Sequence, residues 1–215
     1  MKPSELSPAQ VTAMLHLIAD RIILAEPELS EADRRLGDGD HGIGMKRGME
    51  AAKAALDELP EDATIGERFG AHGKAMMSSM GGASGVVFGT LFRGAAKPLK
   101  ASPSEFTSHS LAAWLPEAAD SIMKRGGAKP GDKTMLDALV PAGEVAVAAS
   151  HDLLPAALEK IAQAAEDGRD ASKALIATMG RAKTLGEKSI GHPDAGACSI
   201  AIVMRTMSDF VNDLA

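Results

Sequence analysis

Apolar positions recur at helical spacing along most of the chain. Val11, Leu15, Ile18 and Ile22 fall on one face and predict a first helix over residues 6–26. Ser7 suits its cap, Pro8 its first helical position and Pro27 its stop. The same reading predicts helices over 41–59, closed by Pro60, and over 65–79, capped by Thr64. Further helices are expected over 86–97 and 104–125, then from a cap at Asp132 to about Ala149. Residues 154–167 and 171–178 are alanine-rich helical stretches, and 199–214 is the last helix. The pattern amounts to about eight helices with glycine-rich loops between them and no domain linker. The expected architecture is all-α, one domain over 1–215, with a site assembled from loops at one end of a bundle.

Composition strengthens the helical reading. Five Phe, one Trp and no Tyr leave Ala, Leu and Met to build the core, and 12 Met suit irregular gaps between helices. Lys and Arg number 23 against 29 Asp and Glu, so a formal charge of -6 weighs against nucleic acid as a partner. Cys198 is the single cysteine, which excludes an internal disulfide and a multi-cysteine zinc cluster and suits a buried core position. No stretch has the uninterrupted apolar length of a membrane span, and the N-terminus shows no signal-peptide pattern. A reduced, cytoplasmic protein without a membrane partner is the expectation.

The chemistry concentrates in Asp33-Arg34-Arg35-Leu36-Gly37-Asp38-Gly39-Asp40-His41-Gly42. Three ionised carboxylates this close repel one another unless a cation lies among them. Offsets of five and two do not share a helix face, but a glycine-rich loop lets Asp33, Asp38 and Asp40 converge. Oxygen-only donors favour Mg2+ or Ca2+ over zinc. The EF-hand register fails, because the twelfth position from Asp38 is Met49 rather than glutamate. Asp40 also suits a plain helix cap, and His41 either a phosphate donor or a solvent-facing helix start.

Three glycine-rich segments follow. Ser79-Met80-Gly81-Gly82-Ala83-Ser84-Gly85 precedes an apolar helix, so its backbone N–H groups and the hydroxyls of Ser79 and Ser84 can hold phosphate oxygens. Small residues there equally permit close helix packing. Gly126 to Thr134 resembles a mononucleotide phosphate loop but fails it, since Asp132 stands where lysine is required. It can border a base or ribose, or serve as a plain turn. Arg181, Lys183 and Lys188 bring positive charge suited to a transferring phosphoryl group or to solvent. His192 and Asp194 lie close enough in sequence to pair, whereas His16, His72, His109 and His151 are scattered. No serine-elbow or zincin motif favours a hydrolase.

Taken in order, the segments 37–42, 79–85, 131–135 and 185–197 closely resemble the ADP-binding L subunit of bacterial dihydroxyacetone kinases. They are equally similar to the C-terminal nucleotide domain of the ATP-dependent enzymes. The resemblance spans essentially the full length. It implies an eight-helix antiparallel barrel in which Asp33, Asp38 and Asp40 hold two Mg2+ that bridge to ADP or ATP. It implies phosphate contacts around His41, Ser79, Met80, Gly81, Gly82 and Ser84, and a base bordered by Gly127, Thr134 and Met135. Arg181 would stand near the phosphates or a partner interface, with Asp194 in the last loop. The four groups implied for phosphoryl transfer itself are Asp33, Asp38, Asp40 and Arg181.

The same resemblance implies partners. A separate K subunit holds dihydroxyacetone, and in phosphoenolpyruvate-dependent systems a phosphocarrier M subunit recharges the bound nucleotide. A transcriptional regulator and a homodimer are further implied associations. Relatives commonly carry Asp-Pro-Gly-Ala after the final histidine. Here the order is Pro193-Asp194-Ala195-Gly196-Ala197, which leaves room for another short ketose as acceptor. The competing readings are a nucleotide-loaded regulatory protein without catalysis and a purely structural helical subunit.

Overall fold

The computed structural model describes residues 4–214, so both ends of the expected 1–215 domain lie outside the described residues. Nine α-helices stand among them: α1 (Pro8–Leu24), α2 (Glu26–Leu36), α3 (His41–Asp57), α4 (Ile65–Met80), α5 (Gly82–Arg93), α6 (Ser108–Gly126), α7 (Leu136–Ala148), α8 (Leu154–Ala171) and α9 (Ala195–Asp213). The described residues contain no extended strand, only an isolated bridge between Leu6 and Phe106. None of the helices is long and apolar enough to cross a membrane.

Eight of the nine helices close a ring. α1 packs on α3, then each of α3 to α9 packs on the next, and α9 returns to α1. α2 stands outside that ring and covers one end of it against α3 and α9. Ring neighbours run antiparallel, the N-termini of α3, α5, α7 and α9 lying with the C-termini of α4 and α6 at one end. One core fills the ring, with Met14, Ile18, Phe69, Phe88, Trp114, Leu139, Ile161 and Met204 fully or almost fully buried. Trp114 satisfies its indole by donating to Leu91 O at 2.7 Å. Cys198 is buried, and enclosure pushes its thiol up to about 12, which makes it inert at neutral pH.

Local signals explain several boundaries. Ser7 caps α1 in a reciprocal capping box with Gln10, and Thr64 does the same for α4 with Glu67. Pro27 corrects the expected stop: it occupies the first turn of α2 and opens a new helix. Asp33 therefore lies on a helix rather than on a loop. Residues 171–178 also depart from the expected helix. α8 ends at Ala171, a short 3-10 turn covers Ser172–Ala174, and the chain then leaves as an irregular strap. The break at 78–85 shrinks to Gly81 alone, at φ 73°, a conformation that glycine adopts without Cβ strain. Close approach demands glycine at Gly42, where an added Cβ would lie 2.3 Å from Glu26 O.

His72 sits fully buried on α4 with its ring 4.3 Å from that of Phe92, and neither ring nitrogen has a partner. Burial drives its pKa down to about 3. The folded protein thus refuses a proton that the unfolded chain accepts at about 6.5. The resulting stability is present above pH 6.5 and lost as pH falls toward 3. In His72→Met, urea denaturation should show stability at pH 7 equal to or above wild type. The drop between pH 7 and pH 4.5 should be smaller than in wild type; an equal drop would contradict this account.

Candidate nucleotide and metal site

Antiparallel alternation fixes where the chemistry gathers. The N-termini of α3, α5, α7 and α9 and the C-termini of α2, α4 and α6 meet around one cavity of about 720 Å³. Each helix N-terminus presents unpaired N–H groups and the positive end of a dipole. Three of the four receive a carboxylate. His41 N–H donates to Asp33 Oδ2 at 3.2 Å, at the start of α3. Asp137 accepts from Gly131 N–H at 2.6 Å and Thr134 N–H at 2.7 Å, at the start of α7. Asp194 accepts from Ala197 N–H at 2.8 Å and caps α9. Only α5 opens on glycines, with no side-chain cap, and Gly81, Gly82, Ala83 and Ser84 all line the cavity. Its first-turn amides remain to be satisfied by an anion.

Across the cavity, Asp33 from the last turns of α2 and Asp38 and Asp40 from the following loop present carboxylate oxygens within 4.8 Å of one another. The Asp40 pKa is raised, first by loss of solvent and then by the charges of Asp38 and Asp33. Arg181 reaches over from the strap and pairs with Asp38. Three crowded carboxylates, one already resisting ionisation, fit a hard divalent cation by donor type and by charge.

His41 is buried beside Phe88, and burial lowers its pKa to about 4, so the ring is neutral at pH 7. Ser199 Oγ lies 2.8 Å from His41 Nε2 and donates to Ala195 O. The contact with Ser199 ties α3 to α9, and His41 also lines the cavity as expected. Asp194, a half-buried wall residue, is enclosed enough by protein to push its carboxyl up to about 7, and Asp137 adds to the shift.

Most of the expected residues come together here. The cavity wall includes Asp33, Asp38, Asp40, His41, Met80, Gly81, Gly82, Ser84, Thr134, Met135, Arg181 and Asp194. Two do not reach it. The Ser79 hydroxyl turns back to Ala75 O at 2.8 Å, as a helical serine does within its own turn, and Gly127 serves as the left-handed cap of α6. Neighbours Gly126 and Ala128 line the wall instead. Sequence reasoning passed over Arg47, Asp137 and Met179. Arg47 donates to Ser79 O and Met80 O, neutralising the negative end of α4 beside the open α5 terminus. No local pattern flags Arg47, since its partners lie more than thirty positions away.

The comparisons bear on what this cavity is. A family model for the DAK2 domain matches residues 35–209. The chain belongs to the DAK2 domain family. The ADP-binding subunit DhaL of a phosphoenolpyruvate-dependent dihydroxyacetone kinase from Escherichia coli is 38% identical over 94% of this chain and 97% of its own length. A D-erythrulose kinase from Mycolicibacterium smegmatis is 40% identical over 93% of this chain, which spans only 34% of that enzyme. The crystal structure of the dihydroxyacetone kinase from C. freundii in complex with AMP-PNP and Mg2+ superposes with a TM-score of 0.73 at 25% identity. That match covers 95% of this chain and 34% of the kinase. This DAK2 chain thus spans about a third of those two enzymes and nearly all of DhaL.

Divalent-cation binding isolates the carboxylate cluster from everything else in the cavity. Titration with Mn2+ in the absence of nucleotide should show Asp38→Asn and Asp40→Asn each weakening binding about tenfold or more, about 1.4 kcal/mol. Binding should also weaken as pH falls through the raised Asp40 range. Unchanged affinity in both variants would contradict a metal role for the cluster.

Proposed function

We propose that the protein is the nucleotide-carrying subunit of a dihydroxyacetone kinase. It holds ADP or ATP with two Mg2+ and passes the γ-phosphoryl to dihydroxyacetone bound on a separate K subunit. The observation that carries this reading is the pairing, in one cavity, of a three-carboxylate cluster with the uncapped N-terminus of α5. The near full-length match to an ADP-binding DhaL subunit supports it. A phosphocarrier M subunit, recharging the nucleotide from phosphoenolpyruvate, completes the proposed cycle in the cytoplasm.

The residues divide the task. Asp33, Asp38 and Asp40 would hold the metal, which when bound neutralises phosphate charge and polarises the transferring group. The N–H groups of Gly82, Ala83 and Ser84 orient the phosphates, and the glycines let the backbone approach them closely. Ile122, Met135 and Leu136 give the cavity an apolar side suited to a base. Arg181, exposed at the rim, adds charge where the phosphoryl group leaves. Alignment and charge neutralisation are the main demands of phosphoryl transfer, so no protein nucleophile is required. A four-carbon ketose as acceptor is the second reading, favoured by the erythrulose kinase relative.

The test is reconstitution with a dihydroxyacetone-binding K subunit. Phosphorylated dihydroxyacetone should form with phosphoenolpyruvate and the phosphocarrier proteins, and Arg181→Ala should lower the rate about a hundredfold or more. Turnover only with added ATP would replace the carrier-driven cycle by direct ATP use. Preference for erythrulose would select the second reading. No transfer to either ketose from either donor would contradict the kinase role.

A further inference from the structure

The connection between α8 and α9 crosses the cavity mouth. It brings Met179, Gly180, Arg181 and Ala182 to the wall and sets Arg181 against Asp38. Little apolar burial holds this strap, since Ile176 and Ile190 are exposed. Its internal hydrogen bonds are mostly short-range turns, and two reach across the strap: Ala177 N–H to Ser189 Oγ and Gly191 N–H to Lys173 O. Its ties to the α6–α7 turn converge on two adjacent residues. Asp132 accepts from Thr178 N–H through its carbonyl at 3.2 Å and from the Thr178 hydroxyl through Oδ1 at 2.6 Å. Lys133 Nζ donates to Ser172 O at 2.6 Å and to Leu175 O at 3.1 Å. On the α9 side, Asp194 N–H donates to Ser172 Oγ at 3.0 Å.

Lys133 is unusual on three independent counts. It is 2% exposed, although lysine is seldom buried without compensation. It is the one non-glycine residue among those described with positive φ, at 60°. Left-handed backbone is disfavoured for an L residue with a long side chain, and it persists where surrounding structure enforces it. Its ammonium also lies near Asp194 and Asp137, whose charges oppose the penalty of burial. Glycine would take this backbone conformation without strain, and an apolar side chain would fill the space without desolvation. What neither supplies is a pair of charge-assisted hydrogen bonds to the strap.

We propose that Lys133 is a positioning residue. It clamps the strap by the carbonyls of Ser172 and Leu175, keeps Met179 and Arg181 at the cavity wall, and so slows release of the bound nucleotide. The clamp acts on the nucleotide cavity already described, and its effect on release rests on that reading. Lys133 also lines the cavity, so hydrogen exchange of the strap, and not release alone, separates clamping from direct contact with the nucleotide.

The experiment pairs Lys133→Met with Lys133→Gly. Both remove the clamp, but the glycine variant also relieves the backbone strain, so the two should differ in melting temperature. Two properties are then measured on the full chain: hydrogen exchange of the strap amides, and release of a fluorescent ADP analogue in the presence of Mg2+. In both variants the strap amides should exchange about tenfold faster or more, and release should accelerate by about the same factor, in keeping with loss of hydrogen bonds to a charged group. A purely structural lysine predicts release that follows melting temperature and differs between the variants. Strap protection equal to wild type in both variants overturns the clamp. Loosened straps with unchanged release overturn its effect on the nucleotide. Wild-type protein that binds no ADP with Mg2+ overturns the nucleotide reading itself, leaving the exchange data to judge the clamp.

Discussion

Closing eight antiparallel helices into a ring puts every second N-terminus at the same end of the molecule. Four positive helix ends therefore face one another across a single cavity, and the structure has to answer that charge. Asp33, Asp137 and Asp194 answer it at α3, α7 and α9. At α5 the sequence offers only Gly81 and Gly82, whose positive φ angles leave the first-turn amides open. Barrel topology thus gathers four helix N-termini at one cavity, and the choice of residue at each helix start decides which terminus stays available to an anion.

The carboxylates on the opposite wall would be a liability in isolation. Asp40 is already harder to ionise because Asp33 and Asp38 are close and solvent is partly excluded. The Arg181 pairing offsets part of that repulsion from outside the barrel helices, at the start of the 3-10 segment Ala182–Ser189. In the proposed function, a cation at the aspartates and a phosphate chain at α5 would bring the missing charges together, and the nucleotide would then stabilise the fold, since any ligand bound only by the folded state stabilises it.

Much of this was legible in the chain. The helical period marked the core faces, and Ser7-Pro8 and Thr64 marked two helix starts correctly because capping chemistry is local. The three aspartates converge as their crowding suggested, although Asp33 arrives on a helix. Pro27 misled because proline both stops one helix and starts another, and only the tertiary turn at Ala25 decides between them. Residues 172–178 misled for a different reason. Their helix-forming composition is overridden by hydrogen bonds given to Asp132 and received from Lys133, about forty positions earlier. Ser79 looked like a phosphate donor, but a serine inside a helix readily bonds back to its own turn. Arg47 carried no motif, since its partners lie on another helix; Asp137 works locally, on Gly131 and Thr134; and Lys133 falls within the 131–135 segment but acts through Ser172 and Leu175, which only the folded barrel brings near.

The central claim is that the aspartate cluster and the α5 terminus form one site through a shared metal–phosphate ligand. The most direct measurement is calorimetric titration of ADP into metal-free protein, repeated with saturating Mg2+. The account predicts that Mg2+ tightens ADP binding at least about tenfold, and that Asp38→Asn or Asp40→Asn abolishes the difference. ADP affinity that is the same with and without Mg2+ in the wild type would show the two walls acting independently and would contradict it.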